Sequence, residues 1–380
     1  MTRQLHLAAL ALVASCSGRS ATKDEEPDEP VEIKLAEQPL ITDGIRDHFL
    51  FDLAAYPPSE HAAALARAVR TIRIRFQRAG IVGHVSIHPS HANVLVVDQA
   101  PTDAVPATLG RDLVLRTGRL ELQVAESGSG YMAALAEHVK ADSAAVRLGI
   151  TSTRETWRTS GGKQSADWVL HAADREEEVF DDGAPGKHCR PVGVARMRCQ
   201  VTGRAVIEAY VAGLAKRDPR FAMPDDRMLV YERLWPLDQP SFWRTHLVSR
   251  EVELTGEAIK RAGVKRGPHD EHGYVEIELD RAGARALATT TTRRSGDKLA
   301  IVIDGRVESA PIIDGPLLDG RLAIYIRVED PRRQDDEERD LAIALESGAL
   351  PGPARYQVAL VLEGGRSKYE ENGEWKYAEP

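Results

Sequence analysis

The chain has 380 residues, enough for about two to three domains of ordinary size, each able to bury its own core. Its 42% hydrophobic and 28% charged residues place it among folded globular chains and not among disordered ones. With 50 Lys plus Arg against 58 Asp plus Glu, its formal charge of −8 argues against a nucleic-acid partner, and no run reaches the ~20 apolar residues that a bilayer-spanning helix needs.

The chain opens MTRQLHLAALALVASCSGRS. Arg3 supplies a short positive segment, Leu5 to Val13 is mostly apolar, and Val13-Ala14-Ser15-Cys16 follows. An apolar residue, two small residues and a thiol suit lipid transfer to sulfur and cleavage before it. Residues 1–15 are therefore expected to be a lipoprotein signal and Cys16 the lipidated start of the mature chain, anchored to a bacterial membrane with its domains facing the periplasm. The bland alternative is an ordinary secretory signal with a chance cysteine. Ser17 in place of Asp tilts the anchor toward the outer membrane. Residues 16–40 include KDEEPDEPVEIKLAEQP, acidic and without aromatics, which reads as a solvated tether.

Residues 48–55, HFLFDLAA, predict a strand, and Pro57-Pro58-Ser59 starts a helix to about Arg78 with Ser59 as its cap. Leu65, Val69, Ile72 and Phe76 give that helix one buried face; Arg67, Arg70 and Arg78 lie on another, a solvated face or one for anionic headgroups. Gly80 ends it. Strands follow at 82–88 and 93–98 around a turn at 89–93, then a helix near 102–110 and a strand at 118–124. The order β-α-β-β-α-β predicts a ferredoxin-like unit, a split βαβ sheet with helices on one face, over residues 41–126.

Residues 127–245 are expected to be irregular. Gly128 to Lys140 suggests a turn and helix, and 151–190, rich in Gly, Ser, Thr and charge, suggests irregular hairpins anchored by Trp157 and Trp168. GRAVIEAYVAGLAK at 203–216 predicts a helix with Val206, Ala209, Tyr210, Ala212 and Leu214 inward, before the strand MLVYERL. Cys189 and Cys199 are the only cysteines besides Cys16. An oxidising compartment makes a disulfide between them the default, contributing roughly 2–3 kcal/mol on the chain-entropy model. A zinc reading with His188 lacks a fourth ligand.

Residues 246–356 carry the clearest pattern: a strand at 274–279, Asp280 capping a helix to about Thr292, and strands at 298–303 and 306–309 across a tight Asp304-Gly305 turn. A strand at 321–327 and a helix over 334–346 that stops before Gly348 follow. Residues 357–380 supply a last strand, YQVALVL at its core, and a loose polar tail.

VELTGEAI, LAIVIDGRVESAPIIDG and ESGALPGP, in that order, resemble the head subdomain of the first periplasmic domain of the SecD family, whose members assist protein export beside the Sec channel. Leu254, Thr255, Gly256 and Glu257 match its first segment. Ala300, Ile301, Val302, Asp304, Gly305, Val307, Ser309, Ala310 and Pro311 match its core motif, and Gly348, Ala349, Leu350 and Pro351 its last, with Gly352 where Ala is usual. The base subdomain is echoed more weakly by Arg75, Gly80, Ile81 and Val82. SecD normally opens with a transmembrane helix and a GLDLxGG segment and continues into a membrane bundle; DHFLFDLAAY lacks that glycine pattern. The resemblance implies an anchored periplasmic module without the membrane bundle: an α+β fold, a ferredoxin-like base with an appended or inserted α+β head.

No catalytic constellation emerges. Ser129 lies in ESGSG, with Ser127 where a nucleophile elbow needs its first glycine, and Gly162-Lys163 is followed by Gln164, which breaks a P-loop. His84 and His88 would stand ~13 Å apart on a strand, too far for one metal. His269 and His272, flanking Asp270-Glu271, read as a solvated turn, and the run at 329–340 as an exposed helix start. The expectation is a non-enzymatic export accessory without metal or cofactor, with unfolded or emerging polypeptide or a Sec component as partner. The polypeptide-binding residues are expected around the hairpin: Asp304, Gly305, Ala310, Pro311, Ile312 and Ile313. The alternative is an interaction lipoprotein that kept the fold and holds one folded partner.

Overall fold

The computed structural model describes residues 41–377 apart from 103–105, 126, 181–187, 194–195, 237–239, 268–272, 327, 329 and 372–373. Cys16, its signal and the tether to residue 40 lie outside the described residues, as does the 269–272 turn. β1 (Gly44–Phe51) starts earlier than its sequence suggests, because its ladders to neighbouring strands already engage Gly44 and Ile45. α1 (His61–Ala79) buries Leu65, Ile72 and Phe76, with Val69 packed partly against them. Ser59 does not cap it: a 3-10 turn over Pro58–Glu60 intervenes and Glu60 holds the cap position. Gly80 ends α1 at φ 71°, a left-handed conformation that glycine adopts without a Cβ penalty. β2 (Gly83–Ile87), β3 (Val94–Gln99), α2 (Ala107–Leu115), several residues later than expected, and β4 (Leu120–Ala125) follow.

The region expected to be irregular is built of regular elements: α3 (Gly130–Ala141), α4 (Ser143–Arg147), β5 (Thr151–Arg158), β6 (Gln164–Ala173), β7 (Arg175–Phe180), β8 (His188–Gly193), β9 (Arg196–Val201) and α5 (Gly203–Arg217). β5 and β6 make one unbroken hairpin, from Thr151 opposite His171 to Arg158 opposite Gln164. α5 buries Val206, Ile207, Tyr210, Val211 and Leu214; Ala209 and Ala212, expected inward, face solvent. β10 (Arg227–Leu234) and β11 (Phe242–Ser249) pair antiparallel, and β11 runs through the expected boundary at 245/246.

Then come β12 (Leu254–Thr255), β13 (Ile259–Lys265), β14 (Tyr274–Leu279) and α6 (Arg281–Arg293), capped by the Asp280 carboxylate accepting from the Gly283 amide. β15 (Lys298–Ile303), β16 (Arg306–Ser309), β17 (Arg321–Ile324) and α7 (Gln334–Glu346) lead into β18 (Ala354–Glu363). Where a loose tail was expected, β19 (Arg366–Glu371) and β20 (Glu374–Tyr377) extend the sheet beyond β18.

The base sheet has the order β2-β3-β1-β18-β19-β20. Its first four members, all antiparallel, make the ferredoxin-like arrangement. The fourth strand is β18 and not the predicted 118–124. β4 is buried on both faces, so it needs cover on both sides, and it lies in a second sheet of order β12-β4-β15-β16-β10-β11-β6-β5. The fold is α+β, with everything from β4 to α7 inserted between the second helix and last strand of the base.

The second sheet closes on itself. β4 pairs with β15 along its length and with β11 through Val248 and Ala125, so β4, β15, β16, β10 and β11 form a ring. Alternation sends Ala125, Val230, Val248, Ala300, Val302 and Val307 into its interior. Leu120, Leu122, Leu299, Ile301 and Ile303 point the other way, into a core shared with α6, α7 and the three-stranded sheet β13-β14-β17. The outer faces of β10, β11 and β6 pack on α3 and α5.

Head and base meet at α7 and at Arg75. Leu341, Ala342 and Leu345 join the head core, whereas Ile343, and Leu350 just beyond the helix, join the base core. Arg75, fully buried in α1, donates to the carbonyls of Leu113, Thr117 and Gly348 at 2.7, 3.0 and 3.0 Å, to that of Arg116, and to Ser347 Oγ at 3.0 Å. One guanidinium thus ties the end of α2, the crossing into β4 and the end of α7. Burial pulls it down to about 9, so it stays charged at neutral pH.

Candidate functional site

Each residue expected to bind polypeptide has a structural partner nearby. Asp304 turns the β15–β16 hairpin at φ 52°, and its carboxylate accepts from the Arg119 and Gly118 amides at 2.8 and 3.2 Å, fixing the hairpin to the start of β4. Gly305 follows at φ 76° and accepts from Arg204 at 3.4 Å. Ala310 packs on the ring core and Ile313 is buried in the head core. The Pro311 carbonyl accepts from the Leu299 amide at 2.9 Å, Ile313 N donates to Asp297 at 2.9 Å, and Ile312 bridges to Lys298. Residues 311–313 therefore already lie as a strand along the start of β15. An added peptide cannot use the backbone groups that these residues already share with β15.

The sequence reading missed a charged cluster at one end of the ring. On β10 the inward alternation Met228, Val230 places Glu232 next, and on β11 it places Arg244 and His246 beside Val248. Arg244 donates to Glu232 at 2.5 Å and, through its other nitrogen, to Glu155 of β5 at 2.7 Å. His246 Nε2 lies 2.8 Å from Glu232, and Lys298 of β15 donates to Glu155 at 2.5 Å with its ammonium 4.4 Å from the Trp157 ring centre. Two carboxylates, two fixed cations and an imidazole thus join the β5–β6 hairpin to the ring.

Burial alone would raise both carboxyls. Arg244 and Lys298 reverse this at Glu155 and hold it at about 2, and the His246 bond with Arg244 does the same at Glu232. Burial lowers His246 despite Glu232, and brings His171 down to about 4, so both rings are neutral at pH 7. Asp167, on β6, is raised by burial to about 6 even though it accepts from the Trp168 amide. With every strong charge paired, the cluster is arranged to hold strands together.

Other predicted groups fall as follows. The Ser129 hydroxyl caps α3 by accepting from the Met132 amide at 3.3 Å. His88 meets His48 and His91, with ring centres 5.6 and 4.7 Å apart, and His84 lies on β2. Among the described residues no three His, Cys, Asp or Glu side chains are placed to hold a metal. Cys189 and Cys199 are direct partners in the β8–β9 register, and Cys199 is buried and disulfide-bonded. No described helix is long and apolar enough to cross a membrane.

Residues 232–352, from within β10 to just past α7, match the family model for the SecDF P1 head subdomain. The protein translocase subunit SecD of Desulfurispirillum indicum is 36% identical over 133 residues, 34% of this chain and 25% of that protein. The Rhodothermus marinus SecD is 28% identical over 318 residues, covering 80% of this chain and 47% of that protein. The matches thus span from a quarter to just under half of these relatives. A crystal structure of SecDF in its super-membrane-facing form aligns with 87% of this chain and 32% of its own at TM-score 0.47 and 16% identity. A structure of SecDF, described as a membrane component that enhances protein export, aligns with 82% of this chain and 98% of its own, at TM-score 0.44 and 16% identity. The ring, the α6–α7 layer and the ferredoxin-like base make a two-part α+β domain. The chain carries a SecD-like periplasmic domain.

Proposed function

We propose that this protein is a periplasm-facing, non-enzymatic accessory of protein translocation, held to a bacterial membrane by lipid on Cys16, that engages unfolded or emerging polypeptide or a Sec component. The match of residues 232–352 to the SecDF P1 head carries this reading, because that head is present together with a ferredoxin-like base. SecD relatives are named as translocase subunits, which supports export as the setting. The small-small-Cys junction at Ala14-Ser15-Cys16 supports the anchor.

The test uses the full-length protein. It should slow aggregation of a reduced, unfolded substrate in proportion to its concentration, and Cys16→Ser should move it from the membrane to the soluble fraction. Failure to retard aggregation, together with stoichiometric capture of one folded protein, favours the interaction-lipoprotein reading. A Cys16→Ser variant that stays on membranes after a salt wash rejects the lipid anchor.

A further inference from the structure

We propose that the outer edge of β5 receives an extended, acidic polypeptide segment as an added strand; this rests on the reading that the domain handles non-native polypeptide. Among the described residues β5 ends the eight-stranded sheet and its ladder runs only to β6. The direction of its backbone groups follows from its neighbour. Leu170 N donates away from β5, to Thr245 Oγ1 on β11 at 2.9 Å, and the Ala166 carbonyl accepts from Gly128 at 2.8 Å. Register sets Leu170 opposite Ser152 and Ala166 opposite Thr156. In an antiparallel pair such residues turn their amides and carbonyls outward together, so Ser152, Arg154, Thr156 and Arg158 present theirs on the open side. No described residue bonds to the backbone of these four on that side.

Two further features select this edge and its occupant. β5 has eight residues, no proline and no break in register, whereas the other described edge strands run from two residues in β12 to seven in β13, whose register is broken. Arg154 and Arg158 are exposed, four residues apart on one face, ~13 Å at strand rise, and form no ion pair with described residues. Glu155, the acidic residue between them, points to the opposite face and is neutralised by Arg244 and Lys298. In a chain of net charge −8 this edge is locally basic, and carboxylates at alternate positions of an incoming strand would reach both arginines. Charged side chains also serve to blunt an edge against pairing, and the experiment separates the two roles.

Fluorescence anisotropy at low salt measures binding of a nine-residue peptide alternating Thr and Glu and of its Thr and Lys counterpart to the full-length protein. The acidic peptide should bind about tenfold more tightly, the scale of two exposed ion pairs. The Arg154→Glu, Arg158→Glu double variant should reverse the preference. Thr156→Pro, which deletes one outward amide and no ladder bond, should weaken the acidic peptide about tenfold with an unchanged melting midpoint. Equal affinity for both peptides, absence of binding, or a folded Thr156→Pro variant that binds undiminished overturns the edge. If reduced, unfolded substrate binds wild type and Thr156→Pro alike, the edge is rejected and the polypeptide-handling role stands. If the acidic peptide binds but unfolded substrate does not, the edge stands and that role falls.

Discussion

Arg75→Ala removes the group that joins base to head. The guanidinium satisfies four backbone carbonyls and one hydroxyl, none of which is offered a second cation among the described residues. Hydrogen bonds to a charged donor are worth about 1.5–3 kcal/mol each, but these five share one donor group. The cost of burying the charge, visible in its fall to about 9, offsets part of the gain, and water can enter the vacated space. The carbonyls left without a donor cost about 1–3 kcal/mol each where water does not reach them, which puts the net loss at roughly 3–5 kcal/mol. Urea unfolding of the full-length protein followed by circular dichroism should show a midpoint lower by about 1 M or more, with a slope of ~3 kcal/mol/M. Amide exchange should accelerate at 116–118 and 347–350, the segments the side chain ties. Arg75→Lys should recover little, since one ammonium has three donors on a single atom and cannot span acceptors on three segments. A midpoint shift under ~0.3 M, or full recovery by lysine, would refute this account of the junction.

Lys298→Met should cost about 2–3 kcal/mol, because Glu155 then keeps only Arg244; faster exchange in β5 and β6 than in β14 would show that the hairpin loosens first. Asp167→Asn should stabilise at pH 7.5. Its folded value of about 6 lies above the 3.8 of the free group, so ionising it costs stability as pH rises from 3.8 through 6, with a ceiling of about 3 kcal/mol; an unchanged melting temperature counts against its burial as the cause. His246 and His171 have the opposite sign: both are lowered from 6.5, so their contribution is complete above pH 6.5 and drains away as pH falls below it, for His171 down through about 4. His246→Gln should flatten the fall in melting temperature between pH 6.5 and 5, and an equally steep profile would place that sensitivity elsewhere. A Cys189–Cys199 linkage should appear in unreduced peptide mass spectra, and free thiols at both positions would exclude it.

The head could be read from its residues because its signals are local. Asp304-Gly305 is a hairpin turn wherever it sits between alternating runs, and Asp280 before an amphipathic stretch marks a helix start. The base was legible except for its last strand. LELQVA and YQVALVL both read as strands, and nothing local tells which one pairs with β1. The choice is made by a ladder between Gly44–Phe51 and a segment that begins only at Ala354, far beyond the end of α2 at Leu115. LELQVA went to the second sheet because both of its faces find cover there.

The charged cluster and β5 were hidden for related reasons. Glu232, Arg244 and His246 look like the solvent positions of half-exposed strands, and only closure of the ring turns them inward. The available signal was that they continue the alternation of Val230 and Val248. β5, TSTRETWR, has one buried residue, Trp157, so it carries no hydrophobic period from which a strand could be recognised. That polarity belongs to its place at the end of the sheet. A strand whose backbone faces solvent on one side must not invite indiscriminate pairing, so serine, threonine and arginine stand where an interior strand would carry valine and isoleucine. The composition that made the segment look irregular is therefore what a long open edge requires, and at such an edge a partner must be chosen by charge as well as by backbone hydrogen bonds.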